Sequence, residues 1–260
     1  MNGAQRTYAV TGAGSGIGAA TAAWLRDRGE RVITCDLKDA DVSGDLATAA
    51  GRAALVDGVR RLADGRLDGV VANAGGGPPG TMLSLNFFGA VATLEGLRPL
   101  LARSPAPRAL AVSSIASLQP GDPKLVDPCL AGDEPAAIAA ASAAIASGEA
   151  LGLYGSAKVA LTRWCRKAAV SSDWAGAGIV LNVVAPGVID TPAAAWILGH
   201  PQNRAEMMAR VPLPSVRPGR PDQMAALIAW CVGEENALMT GQVLYADGGV
   251  ECAARGELVW

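Results

Sequence analysis

Short apolar runs alternate along the chain with longer stretches whose apolar positions recur at helical spacing. Tyr8-Ala9-Val10, Arg31-Val32-Ile33-Thr34-Cys35-Asp36, Gly69-Val70-Val71-Ala72, Ala109-Leu110-Ala111-Val112, Ile179-Val180-Leu181-Asn182-Val183-Val184 and 242–246 read as strands. Between them, 19–28, 48–63, 83–101, 154–170 and 221–232 read as helices, with Gly29 stopping the first. Strands apolar on both faces and separated by helices build a parallel sheet covered on both sides. Right-handed crossovers then leave a doubly wound, Rossmann-like α/β fold as the expectation. No repeat or composition shift divides the chain, so 1–260 is read as one domain.

Two segments break this rhythm. Residues 115–153 carry Pro120, Pro123, Pro128 and Pro135 and then an alanine-rich stretch with helical potential. Residues 188–219 carry Pro192, Pro201, Pro212, Pro214 and Pro218 between short apolar pieces. Long connections in a compact domain commonly serve as lids, binding loops or interfaces. The first is read as an insertion and the second as a substrate lid. Trp196, Ile197, Leu198, Met207 and Met208 would give that lid an apolar surface for a bulky hydrophobic ketone or alcohol; ordinary packing is the competing reading for the same residues.

Charge and composition narrow the chemistry. With 22 basic and 24 acidic residues, net charge −2 and no long run of either sign, neither a nucleic-acid groove nor a polybasic membrane patch is expected. A single histidine, His200, argues against a zinc site and against a serine–histidine triad, and no metal is expected. Cys35, Cys129, Cys165, Cys231 and Cys252 are odd in number and widely spaced, which suits buried free thiols in a reducing compartment. Residues 1–6 leave no room for a signal peptide before the first strand, and no stretch is long and apolar enough to span a bilayer. A cytoplasmic protein is the expectation.

The chemistry gathers in a few positions. Thr11-Gly12-Ala13-Gly14-Ser15-Gly16-Ile17-Gly18 joins the first strand to the first helix, where glycines allow a sharp turn and a pyrophosphate can sit at the positive helix end. Asp36 ends the second strand eighteen residues after Gly18, where a carboxylate can hold the adenosine ribose and repel a 2′-phosphate, favouring NAD. Lys38, two residues on, is a mild signal the other way. Tyr154 and Lys158 share a helix face one turn apart. An ammonium beside a phenol favours the phenolate, the form a general base needs.

In the order Thr11 to Gly18, Asn73-Ala74-Gly75, Asn86, Ser113-Ser114, Tyr154-Gly155-Ser156-Ala157-Lys158 and Pro186-Gly187, the chain resembles the short-chain dehydrogenase/reductase family over essentially its whole length. Asp36-Leu37-Lys38-Asp39-Ala40-Asp41-Val42, Ser84-Leu85-Asn86-Phe87-Phe88-Gly89, the long insertion and Asp190-Thr191-Pro192 bring it nearer the bacterial 3α-hydroxysteroid dehydrogenase/carbonyl reductase subgroup. The resemblance implies an oxidoreductase that interconverts a secondary alcohol and a ketone with NAD. It implies Tyr154 as general acid/base, Ser114 rather than Ser113 as the group polarising the substrate oxygen, and Lys158 as tuner of Tyr154 and ribose ligand. Asn86 would hold a water in the proton relay. Gly12, Ser15, Gly16, Ile17, Gly18, Asp36, Leu37, Asn73, Ala74, Gly75, Pro186 and Gly187 would line the dinucleotide, with Asp45 and Leu46 against adenine and Ile189 and Thr191 on the carboxamide. It further implies a homodimer, a tetramer being the alternative, and a hydrophobic, possibly steroid, substrate. A non-catalytic dinucleotide sensor on the same fold is the alternative function.

Overall fold

Seven strands, all parallel, form the one sheet of a computed structural model that describes residues 5–258. Residues 1–4, on which the signal-peptide expectation mainly rests, lie outside the described residues. Chain order runs β1 (Thr7–Thr11), α1 (Gly16–Arg26), β2 (Arg31–Asp36), β3 (Val42–Ser43), α2 (Ala49–Leu62), β4 (Gly69–Ala72), α3 (Ala90–Leu101) and β5 (Arg108–Val112). It continues through α4 (Pro123–Ala131), α5 (Glu134–Ala146), α6 (Gly152–Ala169), β6 (Val180–Pro186), α7 (Ala195–Leu198), α8 (Pro201–Ala209), α9 (Pro221–Val232), β7 (Val243–Ala246) and α10 (Val250–Arg255). Across the sheet the order is β3-β2-β1-β4-β5-β6-β7. The direction of winding reverses between β1 and β4, which opens a crevice at their carboxyl ends.

Strand alternation makes two cores. Ala9, Ile33, Val70, Ala109 and Leu181 pack on one face beneath α2, α3 and α6. Tyr8, Val10, Val32, Val71 and Leu110 pack on the other beneath α1 and α9. Burial on both faces is why these strands read as continuous apolar runs rather than as alternation. The short β3 escaped the sequence reading because two residues carry no period. The last strand starts at Val243, one residue later than read, and β6 runs on through Pro186, which faces Ala246.

The insertion departs most from expectation. It holds a 3-10 turn, Ile115–Leu118, followed by α4 and α5. Two of its four prolines start helices, and Pro128 lies within α4. Pro123 and Pro135 sit in first turns, where no N–H is needed, and Asp122 and Asp133 cap those turns by accepting from Lys124 N (2.9 Å) and Ala136 N (3.0 Å). Alanines at 137, 141 and 144 form the buried stripe of α5. Glu134 forms an ion pair with Arg52 of α2, whose guanidinium also reaches the carbonyls of Leu46 and Ser84. Asp122 N donates to Ser156 Oγ at 3.0 Å, tying the insertion to α6 two residues beyond Tyr154.

Four of the five cysteines are buried as expected; Cys252 is exposed. It lies on α10, a short terminal helix with no buried residue of its own. No described helix is long and apolar enough to cross a membrane.

Candidate active site

β1 ends in a turn that only glycine can make at two positions. Gly12 has φ +68°, and a Cβ there would come within 2.7 Å of Asn73 Nδ2. At Gly18 a side chain would run into the carbonyl of Gly12, so α1 could not fold back this closely on the turn. Asn73, at the end of β4, fastens that turn by donating to Thr11 O (3.0 Å) and Gly12 O (3.3 Å). Thr11 Oγ1 answers by accepting from Asn73 N and Ala74 N, each at 3.0 Å. Sequence reasoning quoted Thr11 within the motif but gave it no task; its task is this lock between β1 and β4.

Ser15 stands at the head of α1 and makes no side-chain cap among the described residues, so the first turn of an eleven-residue helix faces the crevice with its amide N–H groups uncapped. Those groups and the helix dipole are suited to an anion. Asp36 leans over the turn: Oδ2 accepts from Gly14 N and Oδ1 from Leu37 N, each at 2.7 Å. Its carboxylate is thereby fixed where Gly14 and the end of β2 meet. Leu37 is exposed, as is Asp45, whereas the Leu46 side chain is buried against Gly89 and leaves Asp45 as the open member of that pair. A Cβ on Gly16 would lie 3.0 Å from Thr191 Cγ2, so the segment after β6 crosses the glycine turn at Thr191. Ile189 is buried and pairs with Gly219 as an isolated bridge. An uncapped helix start, a fixed carboxylate and an ammonium described next form a donor set that fits a nicotinamide dinucleotide.

β5 delivers Ser113 and Ser114, and pleating sends them apart. Ser113 is buried, with Oγ 2.9 Å from Thr162 Oγ1 and 3.3 Å from Lys158 O. Ser114 caps the following 3-10 turn, accepting from Ala116 N at 3.1 Å, and its side chain reaches the Tyr154 phenol closely enough to favour the phenolate. The choice of Ser114 over its neighbour is a geometric one. Lys158 is 2% exposed, and its Nζ donates to Val112 O at 2.9 Å and lies 5.7 Å from the centre of the Tyr154 ring.

The electrostatics differ from the sequence expectation. Burial raises the Tyr154 pKa above its ordinary value, opposed only by the neighbouring Ser114 side chain. Burial also lowers Lys158 to about 8, slightly opposed by Cys165. In the protein alone, then, the ammonium does not draw the phenol down. It is itself desolvated, and its resolved hydrogen bond goes to a backbone carbonyl instead.

Asn86 is fully buried in a π-helical turn, Ser84–Gly89, that interrupts the helix read as 83–101. Its Oδ1 accepts from Gly76 N (2.9 Å) and its Nδ2 donates to Gly76 O (2.9 Å) and Met82 O (2.8 Å). A Cβ on Gly75 would lie 2.8 Å from Asn86 Oδ1 and 3.3 Å from Lys158 Nζ, so Asn86, Gly75 and Lys158 adjoin. Pro186 and Gly187 close β6, with Gly187 N donating to Ala246 O at 3.0 Å. Within 188–219, Met208 is buried while Trp196 is 68% exposed, so the apolar residues of this segment divide between packing and open surface.

Two family models match in tandem: one described as short chain dehydrogenase over residues 6–126 and one described as enoyl-(acyl carrier protein) reductase over 124–251. The chain is 34% identical to the 3-alpha-hydroxysteroid dehydrogenase/carbonyl reductase of Comamonas testosteroni, over 95% of this chain and 96% of that one. Among solved structures, the 3-alpha-hydroxysteroid dehydrogenase from Pseudomonas sp. B-0831 complexed with NADH superposes with a TM-score of 0.88 at 38% identity, covering 97% of this chain and 99% of that chain. The RhlG/NADP active-site complex of Pseudomonas aeruginosa superposes with a TM-score of 0.74 at 29% identity, covering 95% and 96%.

Proposed function

Since the chain belongs to the short-chain dehydrogenase/reductase family, whose members act on alcohol and ketone groups, we propose that it is an NAD(H)-dependent enzyme for a bulky, hydrophobic secondary alcohol or its ketone, a steroid first among candidates. The observation that carries this reading is the convergence of the Ser114 hydroxyl and the buried Tyr154 phenol, with the Lys158 ammonium 5.7 Å from the phenol ring.

Gly12, Ser15, Gly16, Ile17 and Gly18 would cradle the pyrophosphate, Asp36 and Leu37 the adenosine ribose, and Asp45 and Leu46 the adenine. Asn73, Ala74, Gly75, Pro186, Gly187, Ile189 and Thr191 would border the nicotinamide half. When bound, the dinucleotide accepts a hydride from the carbinol carbon or gives one to the carbonyl carbon. Tyr154 takes the hydroxyl proton in one direction and returns it in the other. Ser114 has an oxygen lone pair engaged by Ala116 N, so its own proton is free to point at the substrate oxygen. Two donors then converge on the atom that gains charge in the transition state. Lys158 would bind the nicotinamide ribose, and Asn86, beside it, would hold the water through which the proton leaves. The relative complexed with NADH and the fixed Asp36 carboxylate both favour NAD.

Residues 188–219 act as the substrate lid on this reading, and the chain works as a cytoplasmic homodimer. Replacing Tyr154 with Phe is the decisive experiment. Turnover of cyclic secondary alcohols should fall by about 10³-fold while NADH is still bound, as read from its fluorescence; undiminished turnover would remove Tyr154 from the reaction.

A further inference from the structure

Ser156 lies between Tyr154 and Lys158, and the reaction gives it no task. It is buried on α6, and its Oγ accepts from Asp122 N at 3.0 Å. Asp122 caps the helix that follows the 3-10 turn begun at Ser114, so this bond ties down the far end of the loop that carries the site's serine. The near end is tied to the same helix by Ser113. Its buried Oγ donates to Lys158 O at 3.3 Å and lies 2.9 Å from Thr162 Oγ1. Ser156 and Thr162 are six positions apart, about 9 Å along the helix axis. One helix therefore grips the loop at both ends, each time through a buried hydroxyl.

Between these anchors the loop lies against the helix. A Cβ on Gly155 would come within 3.4 Å of Ala116 O and 3.2 Å of Gln119 Oε1. Gly121, at φ +72°, sits so near α6 that a Cβ there would lie 3.3 Å from Val159 Cγ1. Gly155, Ser156 and Val159 are thus the bed on which 114–122 rests, and Tyr154 belongs to the same turn of helix. Within the loop, Ala116 N donates to Ser114 Oγ at 3.1 Å and Ser117 Oγ to Ser114 O at 2.7 Å, so a displaced loop takes the Ser114 hydroxyl with it. Water could satisfy Asp122 N nearly as well as a side chain does. A hydroxyl rooted in α6 does more, because it also sets where the loop lies relative to Tyr154. An error of 1 Å in such a placement can cost about 100-fold in rate.

We propose that Ser113 and Ser156 are positioning residues, a two-point clamp of 114–122 on α6 that holds the Ser114 hydroxyl at the Tyr154 phenol. The inference rests on the oxidoreductase reading of the site. Ser156→Ala and Ser113→Ala each release one anchor. Asp122→Ala is the control, because it removes the cap of α4 but leaves the Asp122 N–H in place. In both serine variants kcat for oxidation of cyclic secondary alcohols should fall about tenfold, with the KM for NAD unmoved. The Ser114 side chain favours the Tyr154 phenolate, the form that takes the alcohol proton. Loosening it should therefore move the rising limb of kcat against pH to higher pH, which a loss of stability alone would not do. A limb unmoved in either serine variant, or moved as far by Asp122→Ala, would overturn the assignment. Hydrogen exchange in dinucleotide-free protein reads the clamp without turnover, and the amides of 115–119 should exchange about tenfold faster in Ser156→Ala. Faster exchange in that variant, with no turnover of any cyclic alcohol by the wild type, would keep the clamp and defeat the oxidoreductase reading. Turnover by the wild type with exchange unchanged in the variant would do the reverse.

Discussion

Lys158 shows how a single side chain can be set against the fold that holds it. Its ordinary pKa of 10.5 is lowered to about 8 by burial. Between those values the unfolded chain still carries the proton that the folded protein has lost, so stability rises with pH across that window; below pH 8 the folded state bears the whole cost of a desolvated ammonium. Lys158→Met should abolish turnover yet be relatively more stable at neutral pH. The difference in unfolding free energy between variant and wild type should shrink by ~3 kcal/mol from pH 7 to pH 10.5, measured by urea denaturation without dinucleotide. A difference independent of pH would show that the ammonium is not desolvated. Asp36 is the second residue on which much turns. A 2′-phosphate beside its carboxylate should cost about 100-fold in kcat/KM for NADP relative to NAD, and Asp36→Ala should remove most of that preference. Parallel kinetics with both dinucleotides check it, and an NADP preference in the wild type would sink the argument.

Among the elements, α2 and α9 were legible almost to the residue, whereas α1 runs Gly16–Arg26 rather than 19–28 and α6 runs Gly152–Ala169 rather than 154–170. Thr48, Pro221 and Val232 fall where capping and proline rules put them, since α2 follows a Thr48 cap that accepts from Gly51 N and α9 runs Pro221–Val232. The insertion was legible only in fragments, because an aspartate followed by a proline reads equally as a turn or as the start of a helix. Tertiary contact decides the matter by giving α5 a partner for its alanine stripe and for Glu134. With side chains 10% and 22% exposed, the Arg52–Glu134 pair is mostly desolvated. Glu134→Ala should therefore lower stability by about 2 kcal/mol, and the double variant Arg52→Met/Glu134→Leu should recover most of that loss in a denaturation cycle. An additive double variant would mean that the pair does not hold the insertion.

At the scale of the whole molecule, α4 lies along α6 and α5 packs against α4, so the insertion covers part of a helix that would otherwise be open to a second chain. That coverage favours a homodimer over a tetramer, and sedimentation equilibrium should return twice the chain mass; a stable species of four chains would refute it. The linear order of apolar runs, glycines, Asp36 and the Tyr154–Lys158 pair determined the parallel sheet and the crevice at its carboxyl edge, because those signals depend on local periodicity and on backbone demands within a few positions. Which of two adjacent serines meets the phenol, where the Lys158 proton sits, and that Asp122 finds Ser156 were decided only by folding. Each depends on groups far apart in the chain brought within a few ångströms, and on water being excluded from around them, and neither is written in spacing along a strand or helix.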